Sequence, residues 1–169
     1  MAAISPLHLL EQADMLMRAQ GGGPPRQANL RRAISSAYYA VFHAIATAAA
    51  DAFVGRAHRH ASRYALAYRH IEHKRLKDVC EGLAKQTVVG KYARHEPPGG
   101  FGAEIKALSA AAASLQEQRH SADYDPMFRT NSTDAALAVA LARAAIADLK
   151  RAPQEHRAAF LALVAFQPR

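Results

Sequence analysis

The residues able to do chemistry gather in two short stretches. Residues 30–44 carry Arg31, Arg32, Ser35, Ser36, Tyr38, Tyr39 and His43, and residues 119–126 carry Arg119, His120, Ser121, Asp123 and Tyr124. Arg119 and Asp123 are four apart, which puts them on one face wherever a helix runs that far. A guanidinium drawn out of water needs a carboxylate or several acceptors beside it. Asp123 is the local carboxylate, and Tyr124 can cover the pair with its ring and donate its hydroxyl. In the other stretch, Arg32, Tyr39 and His43 fall on one helical side at spacings of seven and four. Arg31, Ser35, Tyr38 and Phe42 fall on the adjacent side. If the two helices pack, Arg, Tyr, His and Asp converge in one polar pocket. That pocket reads either as a polar staple fixing helix register or as a phosphate or nucleotide site.

The elements that must position these residues are helical. Leu30, Ile34, Ala37, Val41, Ala44 and Ala48 recur every three or four positions, predicting a helix over residues 26–53. It would be roughly 40 Å long at 1.5 Å per residue, with Gly55 as a suitable stop. Ser35, Ser36, Ala37 and Ala40 are small enough for a neighbouring helix to approach closely. The second stretch ends a helix predicted over residues 103–121. Its stripe of Ile105, Leu108, Ala112 and Leu115 reaches Arg119 where an apolar residue is due.

Before these, a first helix is expected from Ser5. Ser5 is its N-cap, Pro6 takes the first position and Ile4 staples onto Leu9. Leu9, Ala13 and Leu16 form its stripe, and Gly21-Gly22-Gly23-Pro24-Pro25 ends it. Between the two key helices, residues 61–85 carry the stripes Tyr64, Tyr68, Ile71 and Leu76, Val79, Cys80, Leu83. The phase slips near Glu72 and His73, predicting a kink or two short helices. Residues 86–102, rich in Gly and Pro, read as a loop. After Pro126, a helix over residues 133–151 should turn Leu137, Leu141, Ala144, Ala145 and Leu149 inward. Pro153 separates it from a short final helix carrying Phe160, Leu161, Val164 and Phe166. The expectation is an all-α, up-and-down bundle of about five helices, forming one domain over residues 1–169.

Composition agrees. Half of the 169 residues are hydrophobic, there is no Trp, and β-branched residues are few, which favours helix. The single Cys80 excludes an internal disulfide and a thiolate zinc site, so a reducing cytoplasm is expected. Residues 1–6 lack a basic, apolar leader pattern. No run reaches the ~18 uncharged apolar residues of a membrane span, so no membrane partner is expected. A net charge of +8 attracts phosphates on RNA, DNA or nucleotides, or marks a protein that is simply basic.

Weaker signals point elsewhere. His58, His60, His70 and His73 lie in a basic stretch, which reads as a solvated face or an RNA-facing strip. His70 and His73 could share a helix face, but no third ligand is evident and no metal or cofactor is assigned. Ser35, Ser36 and Ser121 lack a base at a credible spacing. Gly21-Gly22-Gly23 precedes two prolines, not the Lys-Ser or Lys-Thr of a phosphate loop.

The run Arg-Arg-Ala-Ile-Ser-Ser-Ala-Tyr-Tyr-Ala-Val-Phe-His-Ala beginning at Arg31 resembles the second-helix signature of the HEPN family of small bacterial and archaeal helical bundles. Arg119 with Ala122-Asp123-Tyr124 resembles that family's Arg-x-x-Ala-Asp-Tyr motif, and Glu72-His73-Lys74 resembles its short His-containing link. The resemblance spans residues 5–150, with the Gly/Pro loop matched poorly. It implies an HEPN-like bundle that binds RNA, a nucleotide or a partner protein. Ligand contacts would come from Arg32, Tyr39, Arg119, Asp123 and Tyr124. It further implies a homodimer and a toxin–antitoxin setting with a nucleotidyltransferase-type partner. Catalytic HEPN members are metal-independent RNases with an Arg, a polar residue and a His, with four to six residues between the Arg and the His. Arg119 and His120 fit the first two, but no His follows at that spacing. Asp123 and Tyr124 stand there instead, so an enzyme would need His43 or His120 as a substitute. A structural dimeric scaffold is the remaining reading. Arg63 with His70 and Arg151 with His156 have the RNase spacing, but neither pair lies in the segment that resembles the motif.

Overall fold

The computed structural model describes residues 4–18 and 23–168. Its helices are α1 (Pro6–Leu16), α2 (Gln27–Phe53), α3 (Ser62–Arg69), α4 (His73–Ala84), α5 (Gly90–Ala93), α6 (Gly102–Tyr124), α7 (Ser132–Arg151) and α8 (Gln154–Ala165). Among the described residues there is no strand. The all-helical bundle is therefore as expected, with more pieces than the five anticipated. The phase slip at Glu72–His73 is a real break between α3 and α4. A single turn, α5, interrupts the Gly/Pro loop, and the final apolar segment forms α8.

Helix α2 is the central rod. It packs against α1, α6 and α7, with α3 and α8 at its margins, while α6 also packs on α4 and α7. Small residues make this crowding feasible: Ala33, Ala37, Ala40 and Ala46 on α2 are fully buried, as are Ala135 and Ala142 on α7. Without long side chains between them, helix axes approach toward the short end of the usual roughly 8–10 Å range. Tyr38, Ile34, Val41 and Ile45 fill the space between the small residues. By length and composition alone α2 could cross a membrane, but 72% of its apolar window is buried inside the bundle. Its hydrophobicity is that of a core helix.

The stripes of α2, α3, α4 and α6 enter the core largely as expected, with Ala44, Ala48 and Tyr68 at its edge. Three details differ. Leu137 is 64% exposed and Ala144 is exposed, because α7 turns Ala135, Ala138, Val139, Ala142, Ala145, Ile146 and Leu149 inward instead. Leu10, not part of the expected α1 stripe, is its most buried leucine, whereas Leu9 and Leu16 are partly buried. Ser5 holds the N-cap position of α1 with extended backbone but makes no side-chain cap. Ile4 remains 51% exposed. Of the expected α1 terminator, Gly21 and Gly22 lie outside the described residues, as do Met1, Ala2 and Ala3.

The Gly/Pro loop is anchored to the bundle. Tyr92 and Phe101 are buried in the core. Gly99, Gly100 and Gly102 take φ of 82°, 92° and 78°, a left-handed conformation open to glycine at no steric cost. Those turns deliver Phe101 inward and start α6. Helix α7 begins with a capping box in which Asn131 and Asp134 satisfy each other's backbone N–H groups.

Candidate functional site

Helix α6 continues through Tyr124, so Arg119 and Asp123 share a face one turn apart. Arg119 Nε lies 2.8 Å from Asp123 Oδ2, with the two side chains 16% and 22% exposed. The N–H does not point along that line, making the contact an ion pair rather than an aligned hydrogen bond. Nη2 donates to Tyr39 Oη at 2.5 Å and more weakly to Tyr124 Oη at 3.5 Å. Three tyrosine rings surround the cation, with centroids 5.2 Å (Tyr39), 5.3 Å (Tyr124) and 6.0 Å (Tyr38) from Cζ. That is cation–π range. Burial alone would lower the arginine pKa. The Tyr39 hydrogen bond and the Asp123 charge outweigh it, the net shift is upward, and the guanidinium stays charged. Nη1 donates to no protein acceptor among the described residues.

Asp123 also accepts a short hydrogen bond from Ser35 Oγ on α2. Arg31 on α2 also grips α6. Its Nε donates to the Ala122 carbonyl and its Nη2 to the Asp125 carbonyl, each at 2.7 Å, with Nη1 reaching Phe128 O at 3.5 Å. These carbonyls lie where α6 runs out of its own N–H donors. Arg31 therefore caps the helix end that carries Arg119. Arg32, the arginine expected to face the pocket, is exposed. One residue is about 100° of helix rotation, enough to exchange the roles of neighbours.

Two tyrosine–histidine pairs adjoin the cation. Tyr38 Oη meets His73 Nδ1 at 2.6 Å and Tyr68 Oη meets His43 Nδ1 at 2.5 Å. The His73 ring stacks on Phe42 at 3.9 Å, and the His43 ring lies near-parallel to Tyr68 and Tyr39. Burial holds both histidine pKa values below the usual 6.5, with the Arg119 and His43 charges adding to the effect at His73. Both imidazoles are therefore neutral near pH 7. Burial also pushes the Tyr38 and Tyr68 hydroxyls up, so each keeps its proton.

Tyr39, His43, Arg119, Asp123 and Tyr124 thus come together, and Arg32 does not join them. His120 is exposed on the outer side of α6, its ring 5.1 Å from that of Tyr124. Sequence reasoning about the site passed over His73, Tyr68 and the inward role of Arg31. The signal for His73 was its place at the phase slip, where α4 starts and aims the side chain back at α2. His70 is exposed and lies near Arg75 rather than with His73. Among the described residues no three His, Cys, Asp or Glu side chains are placed to hold a metal ion.

Concavities of about 470 Å³, against Glu96, Phe101 and Lys106, and about 290 Å³, between Arg75, Lys91 and Gln167, lie away from Arg119. A partly buried cation among aromatic rings can donate to a phosphate while a neighbouring ring stacks on a base. Comparison with family models, curated proteins and solved structures returns no match. The chemistry of the cluster therefore rests on its geometry.

Proposed function

We propose that this protein is an HEPN-like binding module that engages a phosphate of RNA or of a nucleotide at Arg119. The observation that carries this reading is a charged guanidinium held by Tyr39, Tyr124 and Asp123, with Nη1 without a protein partner among the described residues. Phosphate oxygens accept from such a donor in charge-assisted hydrogen bonds, and the exposed Tyr124 ring offers a base a surface to stack on. The +8 net charge would draw a polyanion toward the site. A homodimer, a cytoplasmic setting and a nucleotidyltransferase-type partner in a toxin–antitoxin pair belong to the same reading. The test is titration of the purified protein with adenosine 5′-monophosphate and a short oligouridylate. Arg119→Ala should abolish binding while the helical circular dichroism persists. Normal binding by Arg119→Ala to both probes rejects the site.

A second reading is a metal-independent RNase, favoured by the neutral His43 next to Tyr39, which itself holds Arg119. With Nδ1–H donated to Tyr68, unlike His73, a neutral His43 has a bare Nε2 that can take the 2′-hydroxyl proton as that oxygen attacks phosphorus and the 5′-oxygen leaves, taking a proton from water. Arg119 would stabilise the charge on the phosphorane oxygens. RNA cleavage that survives EDTA and vanishes in both Arg119→Ala and His43→Gln supports the enzyme. Intact RNA across several sequences supports the binding module.

A further inference from the structure

We infer that His73 is a second phosphate-binding residue of the Arg119 site, acting as a neutral Nε2–H donor whose tautomer is set by Tyr38. The inference rests on the phosphate-binding reading above and names a new contact within it.

Tyr38 is fully buried, and among the described residues its hydroxyl has one hydrogen-bond partner, His73 Nδ1 at 2.6 Å. A phenol that keeps its proton must give it to an acceptor or leave a buried donor unsatisfied, at a cost of roughly 1–3 kcal/mol. Nδ1 is therefore the acceptor and carries no hydrogen. In a neutral imidazole the hydrogen then sits on Nε2. Protonating Nδ1 as well would place two donors against each other across 2.6 Å in a site that already holds a guanidinium.

The surroundings hold the His73 ring within the Arg119 cluster. The His73 ring is clamped by Phe42, centroids 3.9 Å apart. Its backbone carbonyl accepts from Gln116 Nε2 at 3.2 Å, and Gln116 precedes Arg119 on α6 by one turn. Tyr38 joins both groups, with its hydroxyl on His73 and its ring 6.0 Å from Arg119 Cζ. Other ionisable groups near His73 are Tyr39 and His43 from α2, Tyr68 behind His43 from α3, and Glu72, Lys74 and Arg75 beside it in the chain. Among the described residues Nε2 has no protein acceptor. His73 and Arg119 both lie against the Tyr38 and Tyr39 rings, so one cluster holds two donors without a protein acceptor, one charged and one neutral. Two oxygens of one phosphate can take one donor each. Tyr38 is a positioning residue in this arrangement, acting through His73.

Two measurements test this. Long-range proton–nitrogen spectra of the ¹⁵N-labelled protein at pH 7 report each imidazole tautomer without any ligand. His73 should show a protonated Nε2 and a bare Nδ1, and Tyr38→Phe should abolish that preference. Titrations with adenosine 5′-monophosphate and a short oligouridylate then test the donor. His73→Phe, which keeps the stack on Phe42, should weaken binding roughly tenfold or more, the size of a lost hydrogen bond to a charged group. His73→Gln, whose amide nitrogen falls near Nε2, should restore most of it. Because His73→Phe strips Tyr38 of its acceptor, Tyr38→Phe/His73→Phe controls for loss of fold and should bind as weakly. Tighter binding of the oligouridylate assigns the phosphate to a strand, and equal binding assigns it to a mononucleotide. A protonated Nδ1 at pH 7, or wild-type affinity in His73→Phe where Arg119→Ala has lost binding, overturns the inference alone. Unchanged binding in Arg119→Ala overturns the site and the inference with it.

Discussion

Replacing Asp123 by Asn tests whether the carboxylate at the site supports the cation or competes for it. The change keeps the side-chain shape and the oxygen that Ser35 donates to, and removes only the charge. A phosphate on the Nη1 side of Arg119 would lie on the far side of the guanidinium from Asp123, about 7 Å away. At an effective dielectric near 20, like charges at about 7 Å repel by roughly 2 kcal/mol. Both side chains keep some exposure, 16% and 22%, and screening by water and salt removes roughly half of that. Asp123→Asn should therefore tighten phosphate binding by about 1 kcal/mol, roughly fivefold. Stability moves the other way. The ion pair sits between the exposed class, worth up to about 1 kcal/mol, and the buried class, whose breakage costs about 3–5. A loss of about 1–2 kcal/mol is expected, read as a lower urea midpoint by far-ultraviolet circular dichroism. Calorimetric titration with adenosine 5′-monophosphate at low salt reads the affinity. The reasoning is refuted if binding falls as far as in Arg119→Ala. The carboxylate would then position the cation or contact the ligand.

Two further perturbations follow from the same geometry. Arg31→Ala removes the cap on the α6 C-terminus and should cost about 1.5–3 kcal/mol, the range for hydrogen bonds from a charged donor. Amide hydrogen exchange should show the loss concentrated over residues 119–125, and uniform loss would contradict a local cap. His43 and His73 make stability depend on pH, because both are held below 6.5 by burial. The unfolded chain takes up protons near pH 6.5 while the folded chain does not until lower pH, so the unfolded state binds more protons in between. Their contribution is complete above about pH 7, shrinks as pH falls through 6.5 toward the folded values, and is flat below those. Between pH 7.5 and 5.5 the wild-type melting temperature should fall more than that of His43→Gln/His73→Gln. Parallel curves would count against neutral histidines in the native state.

The parts of this molecule that can be read along the chain are those whose partners lie within one helix. The α2 stripe and the Arg119–Asp123 spacing are of that kind, and so is the break at Glu72–His73. What escapes reading is set across elements. His73 meets Tyr38 from another helix, so no spacing rule links them. The choice between Arg31 and Arg32 depends on where the α6 carbonyls end, which α2 alone does not encode. Leu137 misleads for a different reason: on α7 the close helix contacts are made by alanines, so the bulkiest apolar residue is not the one turned inward. Tyr92 and Phe101 were legible as aromatic residues, but the surrounding Gly and Pro signals outweighed them in the loop reading.

The staple and the phosphate site make opposite demands on Arg119, and a double substitution separates them. If the cation only fixed the packing of α6 on α2, an apolar residue completing the stripe of Ile105, Leu108, Ala112 and Leu115 would do as well. Exchanging a partly buried ion pair for hydrophobic contacts is often neutral or stabilising by about 1–4 kcal/mol. In Arg119→Met/Asp123→Ala the methionine lies against the Tyr38, Tyr39 and Tyr124 rings, and no charge is left without its partner. The neighbouring polar groups keep other outlets. Ser35 Oγ still has the Arg31 carbonyl at 3.2 Å, and the half-buried Tyr39 hydroxyl can turn to water. Arg31 continues to cap α6. The double variant should therefore match or exceed the wild-type urea midpoint while losing phosphate binding, which would mean the bundle carries its cation for the ligand. An unfolding free energy lower by more than about 2 kcal/mol would exceed what the lost packing explains and return Arg119 to the role of a register staple.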